Sequence, residues 1–456
     1  MAGTASAGVA VRPPNQLLFW AFPALSFCLA LVLGGPFAFL VPDAMNYRLL
    51  ALGQRSQVSS PFSARILGPA AAEWIGRTTG IGVDRGFLFL GLVCLAAFLL
   101  STASLLRFQR VPAGIFAAVF LMPFWVKIFH NYYLPDLLHA AILAVLLLAL
   151  VNGRVTLAML LLFPAYLARE STLLAALCLA WAAWRRAPLR AVFAGIAATA
   201  AGMMTSHHFV QSGAMNSEGL SGGPYLLGKL VWGFSRNILG WPLWVNTMSL
   251  CDPIWRVTLP QALHLGAIRT VGVCPLSLWG PARVLLAWFG AFGVGPAVAA
   301  CFLRPIVFRA GLGRRFRAGR EPDPGGDPAL SAGPAIAFRF SLLYGMISLL
   351  LAPLLGASVD RLVEYGWPFY LLALPWFFAT PSLAASRAVL LEGRGIWLLP
   401  LHLAACWIAW LGFSRERPTP FYAAAGLAVL SVNLAAYAIL KMPFRKQEGE
   451  VIGQTV

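Results

Sequence analysis

Long apolar runs separated by short polar clusters set the pattern of this chain. Taking each run able to cross about 30 Å of hydrocarbon as a helix predicts spans near 17–41, 86–106, 112–130 and 134–151. The next run, Val155 to Trp184, has Arg154 on one side and Arg185-Arg186 on the other. One helix cannot begin and end on the same face, so the run reads as two short helices, 155–168 and 171–184, meeting at Arg169-Glu170. Half-length helices are tolerated where their ends are buried in protein or line a wet cavity. Further spans are expected near 189–206, 281–303, 336–356, 365–379, 396–413 and 421–440. The expected fold is therefore an all-α polytopic membrane bundle of about twelve spans, with both termini on the cytoplasmic side.

Three polar stretches interrupt this pattern. Residues 42–85 and 207–280 are expected as outer loops of an N-terminal transmembrane module, 1–303. The stretch 304–335, which contains RPIVFRAGLGRRFRAGREPDPGGDP, reads as a flexible basic cytoplasmic linker, with 336–456 as a C-terminal module. It is more readily a topological anchor on anionic headgroups than a regulatory site. Within 42–85, Leu49, Leu50 and Leu52 lie among Arg48, Gln54 and Arg55, an amphipathic pattern suited to the bilayer surface. The long second loop carries YLLGKLVWGFSRNILGWPLW, where aromatic residues alternate with Lys229, Arg236 and Asn237, and it too is expected to lie along the interface.

Composition narrows the class. Of 456 residues, 59% are hydrophobic and 11% charged, too apolar for a soluble protein of this size. The net charge of +18 resides in short basic clusters beside the apolar runs, which is the positive-inside pattern and not a nucleic-acid-binding surface. The first run lacks a cleavage site and is expected to remain as a helix. Five of the seven cysteines fall inside apolar runs and read as small core residues. Cys251 and Cys274 bracket the end of the second loop, where a disulfide is expected and two free thiols are the alternative.

Candidate chemistry collects at one face. Asp43, Glu73, Asp84, Asp136, Glu170, Asp360 and Glu364 all fall near the outer ends of the expected spans. Acids beside hydrocarbon are costly and are commonly functional or paired. Arg65 places a guanidinium in the first loop, a charge suited to phosphate. Arg169 is a second phosphate candidate, with an ion pair to a neighbouring Asp as the equal alternative. Asp136 and His139 share a helix face at i, i+3, where a divalent metal can be envisaged, although helix capping after Pro135 is the simpler role. His207-His208 could donate to a phosphate or an acceptor, with an interfacial histidine pair as the more ordinary reading.

Asp43, Tyr47, Pro61-Phe62 and Arg65-Ile-Leu-Gly-Pro69 resemble the start of the GT-C glycosyltransferases, integral membrane enzymes that take sugar from a polyprenyl-phosphate carrier. The resemblance implies that Asp43, just after the first span, is the base that deprotonates the acceptor. It also makes Arg361, in Asp360-Arg361 ahead of Tyr365 and Trp367-Pro368, similar to a late outer-loop arginine near the lipid phosphate. Lys229 and Arg236 follow as further phosphate candidates. The implied partners are a polyprenyl-phosphate-linked sugar and a lipid, polysaccharide or protein acceptor, at the outer face of a bacterial cytoplasmic membrane.

Two other readings stay open: a transporter or flippase for a lipid-linked or anionic solute, and an enzyme like the O-antigen ligases and polymerases. The chain has no Walker A sequence, no nucleotide-binding glycine pattern, no Gly-x-Ser-x-Gly and no HExxH. ATP-driven transport and serine or zinc hydrolysis therefore carry little weight.

Overall fold

A computed structural model of the protein describes residues 16–34, 42–58, 62–210, 222–246, 251–264, 268–302, 328–356, 358–379 and 395–441. It is 78% helical. Among the described residues, six helices are long and apolar enough to cross a membrane: Gln16–Gly34, Val83–Phe108, Ala113–His130, Leu189–Val210, Ala332–Leu351 and Thr419–Lys441. A seventh crossing arises if Trp279–Gly290 and Gly295–Phe302, bent by 73° at their junction, form one broken span. The protein is thus a multi-pass helical membrane protein. The remaining apolar runs are shorter: Pro135–Val151, Val155–Ala168, Thr172–Ala183 and Trp397–Phe413 have 10–17 residues each. At 1.5 Å per residue, twelve residues reach about 18 Å, short of the hydrocarbon thickness.

The run from Val155 to Trp184 is divided as expected. Helices Val155–Leu160 and Leu162–Ala168 lead to Arg169, whose extended backbone (φ −160°, ψ 133°) ends the helix, and Thr172–Ala183 follows. Gly195 packs on Met159 and Gly202 on Tyr166. The Leu189–Val210 helix therefore runs parallel to 155–168, and Thr172–Ala183, which lies between them in sequence, must return in the opposite sense.

Most of the expected linker, 304–327, lies outside the described residues; 328–335 already belong to the Pro328–Leu351 helix. One apolar core runs from Phe19 to Cys406, and Phe98 packs edge-on to Trp367 at 4.7 Å. The stretches before and after the linker thus share a core.

Three short helices lie in the two loops: Pro42–Ala51 and Leu67–Thr79 in the first, Gly222–Gly233 in the second. The architecture is that of an all-α polytopic protein, to which the second loop adds a small three-stranded antiparallel sheet, β1 (Leu243–Val245), β2 (Trp255–Thr258) and β3 (Thr270–Val273), with β3 in the middle. Its strands are three or four residues long and rich in Val and Thr, whose branched side chains favour extended backbone. Cys251 and Cys274 are joined by a disulfide that ties the chain ahead of β2 to the end of β3, with Cα atoms 5.9 Å apart.

Candidate active site

The antiparallel passes bring several helix ends together: the start of Pro42–Ala51, the end of Phe124–His130, the start of Pro135–Val151 and the turn at 169–171. The one-turn helix Val359–Val363 is inserted among them, and its neighbouring residues point to opposite sides. Arg361 Nη1 donates to Asp43 Oδ2 at 3.0 Å, across 318 residues of sequence, while its Nε lies 3.6 Å from Asp136 Oδ2. Asp360 instead accepts from Arg283 at 2.9 Å and from Lys127 Nζ at 3.2 Å. Lys127 also pairs with Glu364 at 2.8 Å.

Asp136 is buried, and its Oδ1 accepts from both Arg169 and the Tyr365 hydroxyl. The Arg169 guanidinium also lies 4.5 Å from the Tyr365 ring centroid, a cation–π contact. Beside it, Arg65 grips Glu170 with two hydrogen bonds of 2.7 and 2.5 Å and donates to the Tyr47 hydroxyl at 2.6 Å. Five carboxylates (Asp43, Asp136, Glu170, Asp360, Glu364) thus meet five cations (Arg65, Lys127, Arg169, Arg283, Arg361). Such pairing is what allows charge to persist in a buried site, because an isolated ion there is severely penalised.

The environments of the carboxyls differ. Burial alone would raise the Glu170 pKa, but the charge and hydrogen bonds of Arg65, with Arg169 nearby, outweigh it and hold the group at about 2. Burial acts on Asp360 in the same sense and is overcome by Lys127 and Arg283, leaving it below the usual carboxylate range. At Glu364 burial prevails over Lys127 and the pKa is raised. Burial likewise raises the Tyr47 hydroxyl, against the pull of Arg65.

Asp43 and Glu170 are the accessible acids of this network, with 36% and 37% of their side-chain surface open, against 6% for Asp136 and 6% for Glu364. Glu170 gives both oxygens to Arg65. Among the described residues, Oδ1 of Asp43 has no hydrogen-bond partner. The other acids of this end have structural partners: Asp84 receives Arg48 at 2.8 Å and Tyr133 at 3.1 Å, tying Pro42–Ala51 to Val83–Phe108, and Glu73 pairs with Arg77 one turn away.

The structure joins Asp43, Asp136, Arg169 and Arg361 in one network, with Arg65 and Glu170 alongside. It does not join Asp136 to His139 as a ligand pair. The carboxylate is taken by the guanidiniums and Tyr365, while His139 Nε2 faces Thr172 Oγ1 at 2.9 Å. Among the described residues no three His, Cys, Asp or Glu side chains form a metal-binding group. His207 and His208 are exposed in the last turn of Leu189–Val210, with His208 against Phe209. Lys229 and Arg236 lie on the second loop around Trp232, at 5.7 and 4.8 Å from its ring centroid.

Sequence reasoning missed Lys127 and Arg283, which hold Asp360 in place. Lys127 had a visible signal, a lone cation inside the apolar run FWVKIF, where a charge needs a partner. Arg283 stands in the first turns of Trp279–Gly290 and had none. No protein-family model, curated protein or solved structure matches this chain.

Proposed function

We propose that the protein is a membrane glycosyltransferase of the GT-C kind. It would carry about twelve passes, half-length ones included, and use a polyprenyl-phosphate sugar at the outer face of a bacterial cytoplasmic membrane. The observation that carries this reading is the Asp43–Arg361 pair: a half-open carboxylate at the start of the first loop helix, beside an arginine from the far end of the chain.

In the proposed reaction the acceptor hydroxyl oxygen attacks the anomeric carbon of the donor and its proton passes to Asp43 Oδ1. The bond from that carbon to the phosphate oxygen breaks, and its electron pair leaves with the polyprenyl phosphate. The leaving group carries charge well, so cations aimed at it suffice. Arg361 is the cation beside Asp43, with 18% of its side chain open; Arg65 and Arg169 are spent on Glu170 and Asp136 and act as the frame.

The test is sugar transfer by the purified protein reconstituted with a polyprenyl-phosphate sugar pool extracted from its host membrane. Asp43→Asn should lower the rate by about 100-fold or more while leaving the unfolding temperature unchanged, the size expected for loss of a general base. Full transfer by that variant would remove Asp43 from the role.

One observation bears on a flippase for a lipid-linked solute as the second reading, and it accommodates the polyprenyl chain of the donor equally well. The broken Trp279–Gly290 and Gly295–Phe302 pair borders a cavity of about 330 Å³. Its lining is apolar apart from Tyr370 and His402, which suits a lipid chain better than an anionic solute.

A further inference from the structure

The ion pairs around Asp43 balance one another, and one guanidinium stands outside them. Arg236 sits in a wide turn, Phe234–Leu239, after the Gly222–Gly233 helix. Its guanidinium carbon is 4.8 Å from the Trp232 ring centroid and 4.4 Å from that of Trp279. No carboxylate among the described residues reaches it; burial, with the like charge of Arg283 as a second cause, lowers its pKa to about 10. Arg283 lies 4.4 Å from the same Trp279 ring and is itself held by Asp360. On the Trp232 ring that Arg236 stacks against, the indole Nε1 is buried and has no acceptor among the described residues. A half-buried cation without a counter-charge, beside an unmet N–H donor, is a costly arrangement unless an anion completes it.

The turn that carries Arg236 is rigidly held. Asn237 Nδ2 donates to the carbonyls of Pro353 at 2.8 Å and Gly356 at 2.9 Å, and Asn237 is 1% exposed. Gly280 lies so close to the Arg236 carbonyl that a side chain there would collide with it, which seats the turn against the start of Trp279–Gly290. Arg236, Trp232 and Trp279 are therefore positioned before any ligand arrives, which lowers the entropic cost of binding.

We infer that Arg236, the Trp232 indole N–H and Arg283 form a binding site for the phosphate of a lipid headgroup, separate from the Asp43–Arg361 pair. Arginine suits this ligand because its planar fork meets phosphate oxygens with parallel hydrogen bonds while its face stays stacked on an indole. Trp232 and Trp279 belong at headgroup level, where tryptophans concentrate. A diester, as in a membrane phospholipid, and a monoester, as in a prenyl phosphate, share this chemistry, and the probes below distinguish the two. The site does not depend on sugar transfer, so its measurement is made on binding alone.

The full chain, stripped of lipid in a non-ionic detergent, would be titrated with short-chain phosphatidylglycerol and with farnesyl phosphate, and binding read by native mass spectrometry. Arg236→Gln should weaken the preferred phosphate about tenfold, the loss expected for one charge-assisted hydrogen-bonding group. Trp232→Phe, which keeps the ring and removes the N–H, should weaken it by a smaller factor. The probe whose binding Arg236→Gln weakens names the source: phosphatidylglycerol assigns the site to membrane lipid, and farnesyl phosphate assigns it to a prenyl carrier. Arg236→Lys guards against misfolding of the Gln variant, since it keeps the charge and should retain more of the binding. Wild-type affinity for both probes in Arg236→Gln and Trp232→Phe, at unchanged unfolding temperature, would overturn the inference. So would a loss seen on Arg361→Gln in place of Arg236→Gln, because the phosphate would then sit at the Asp43 pair.

Discussion

Asp43 and Glu170 are both carboxylates at the ends of helices, yet their neighbours set them to different tasks. Asp43 meets one arginine with one oxygen and leaves the other without a partner among the described residues, whereas Glu170 is clasped by Arg65 through both oxygens. Glu170→Gln would leave Arg65, whose side chain is 8% exposed, buried without its counter-charge. The expected loss is about 2–3 kcal/mol, less than for a fully buried pair because the Glu170 side chain keeps 37% of its surface. Thermal unfolding in detergent would register it. The same pair predicts a pH dependence. With the folded pKa at about 2 and an unfolded value near the ordinary ~4.3, the unfolded chain binds the proton first. The stabilisation is therefore complete above about pH 4.3 and disappears as pH falls towards about 2. Wild type should lose stability through this window, and Glu170→Gln should show a shallower slope there; parallel curves would mean that Glu170 is not the group titrating.

At the scale of elements, the apolar runs were legible because a helix within hydrocarbon must satisfy its own backbone, so run length alone predicts it. The fold at Arg169-Glu170 was legible from flanking arginines, a charge constraint that acts within one segment. The sheet was not. Strands of three or four residues leave too little alternation to recognise, and β1 pairs with β3 across the intervening β2 segment, a partner no local spacing announces. The Asp43–Arg361 pair was hidden for a related reason: each residue could be picked out alone, but no spacing rule connects positions 318 apart. The second loop also carries a prediction. The Cys251–Cys274 bond closes 23 residues of chain, and such a crosslink typically contributes about 3 kcal/mol by restricting the unfolded loop. Reduction should speed hydrogen exchange in β2 and β3 and leave Val83–Phe108 protected. Exchange rising equally in both would show that the loop and the bundle unfold as one unit.

At the scale of the whole molecule, the charge network and the number of passes are one problem. Buried ion pairs gather at one end only if the helices alternate in direction, and that alternation needs the short segments to cross or turn back in protein. Thr172–Ala183 is the critical case, because it is too short to span alone and yet must return the chain between two parallel helices. Its return puts Asn152 and Arg190 at the end of the bundle opposite Arg65 and Glu170. Arg77, exposed on the Leu67–Thr79 helix, belongs to the same loop as Arg65. Single cysteines at these three exposed positions would be treated with an impermeant maleimide in intact cells, with the parent chain as control. Arg77→Cys should react from outside, whereas Asn152→Cys and Arg190→Cys should react only after permeabilisation. Reaction of Asn152→Cys and Arg190→Cys from opposite faces would mean that 155–183 crosses once. The turn at Arg169-Glu170 would then lie at mid-membrane, and the charges around Asp136 would have to be supported by a water-filled cavity in place of an interface.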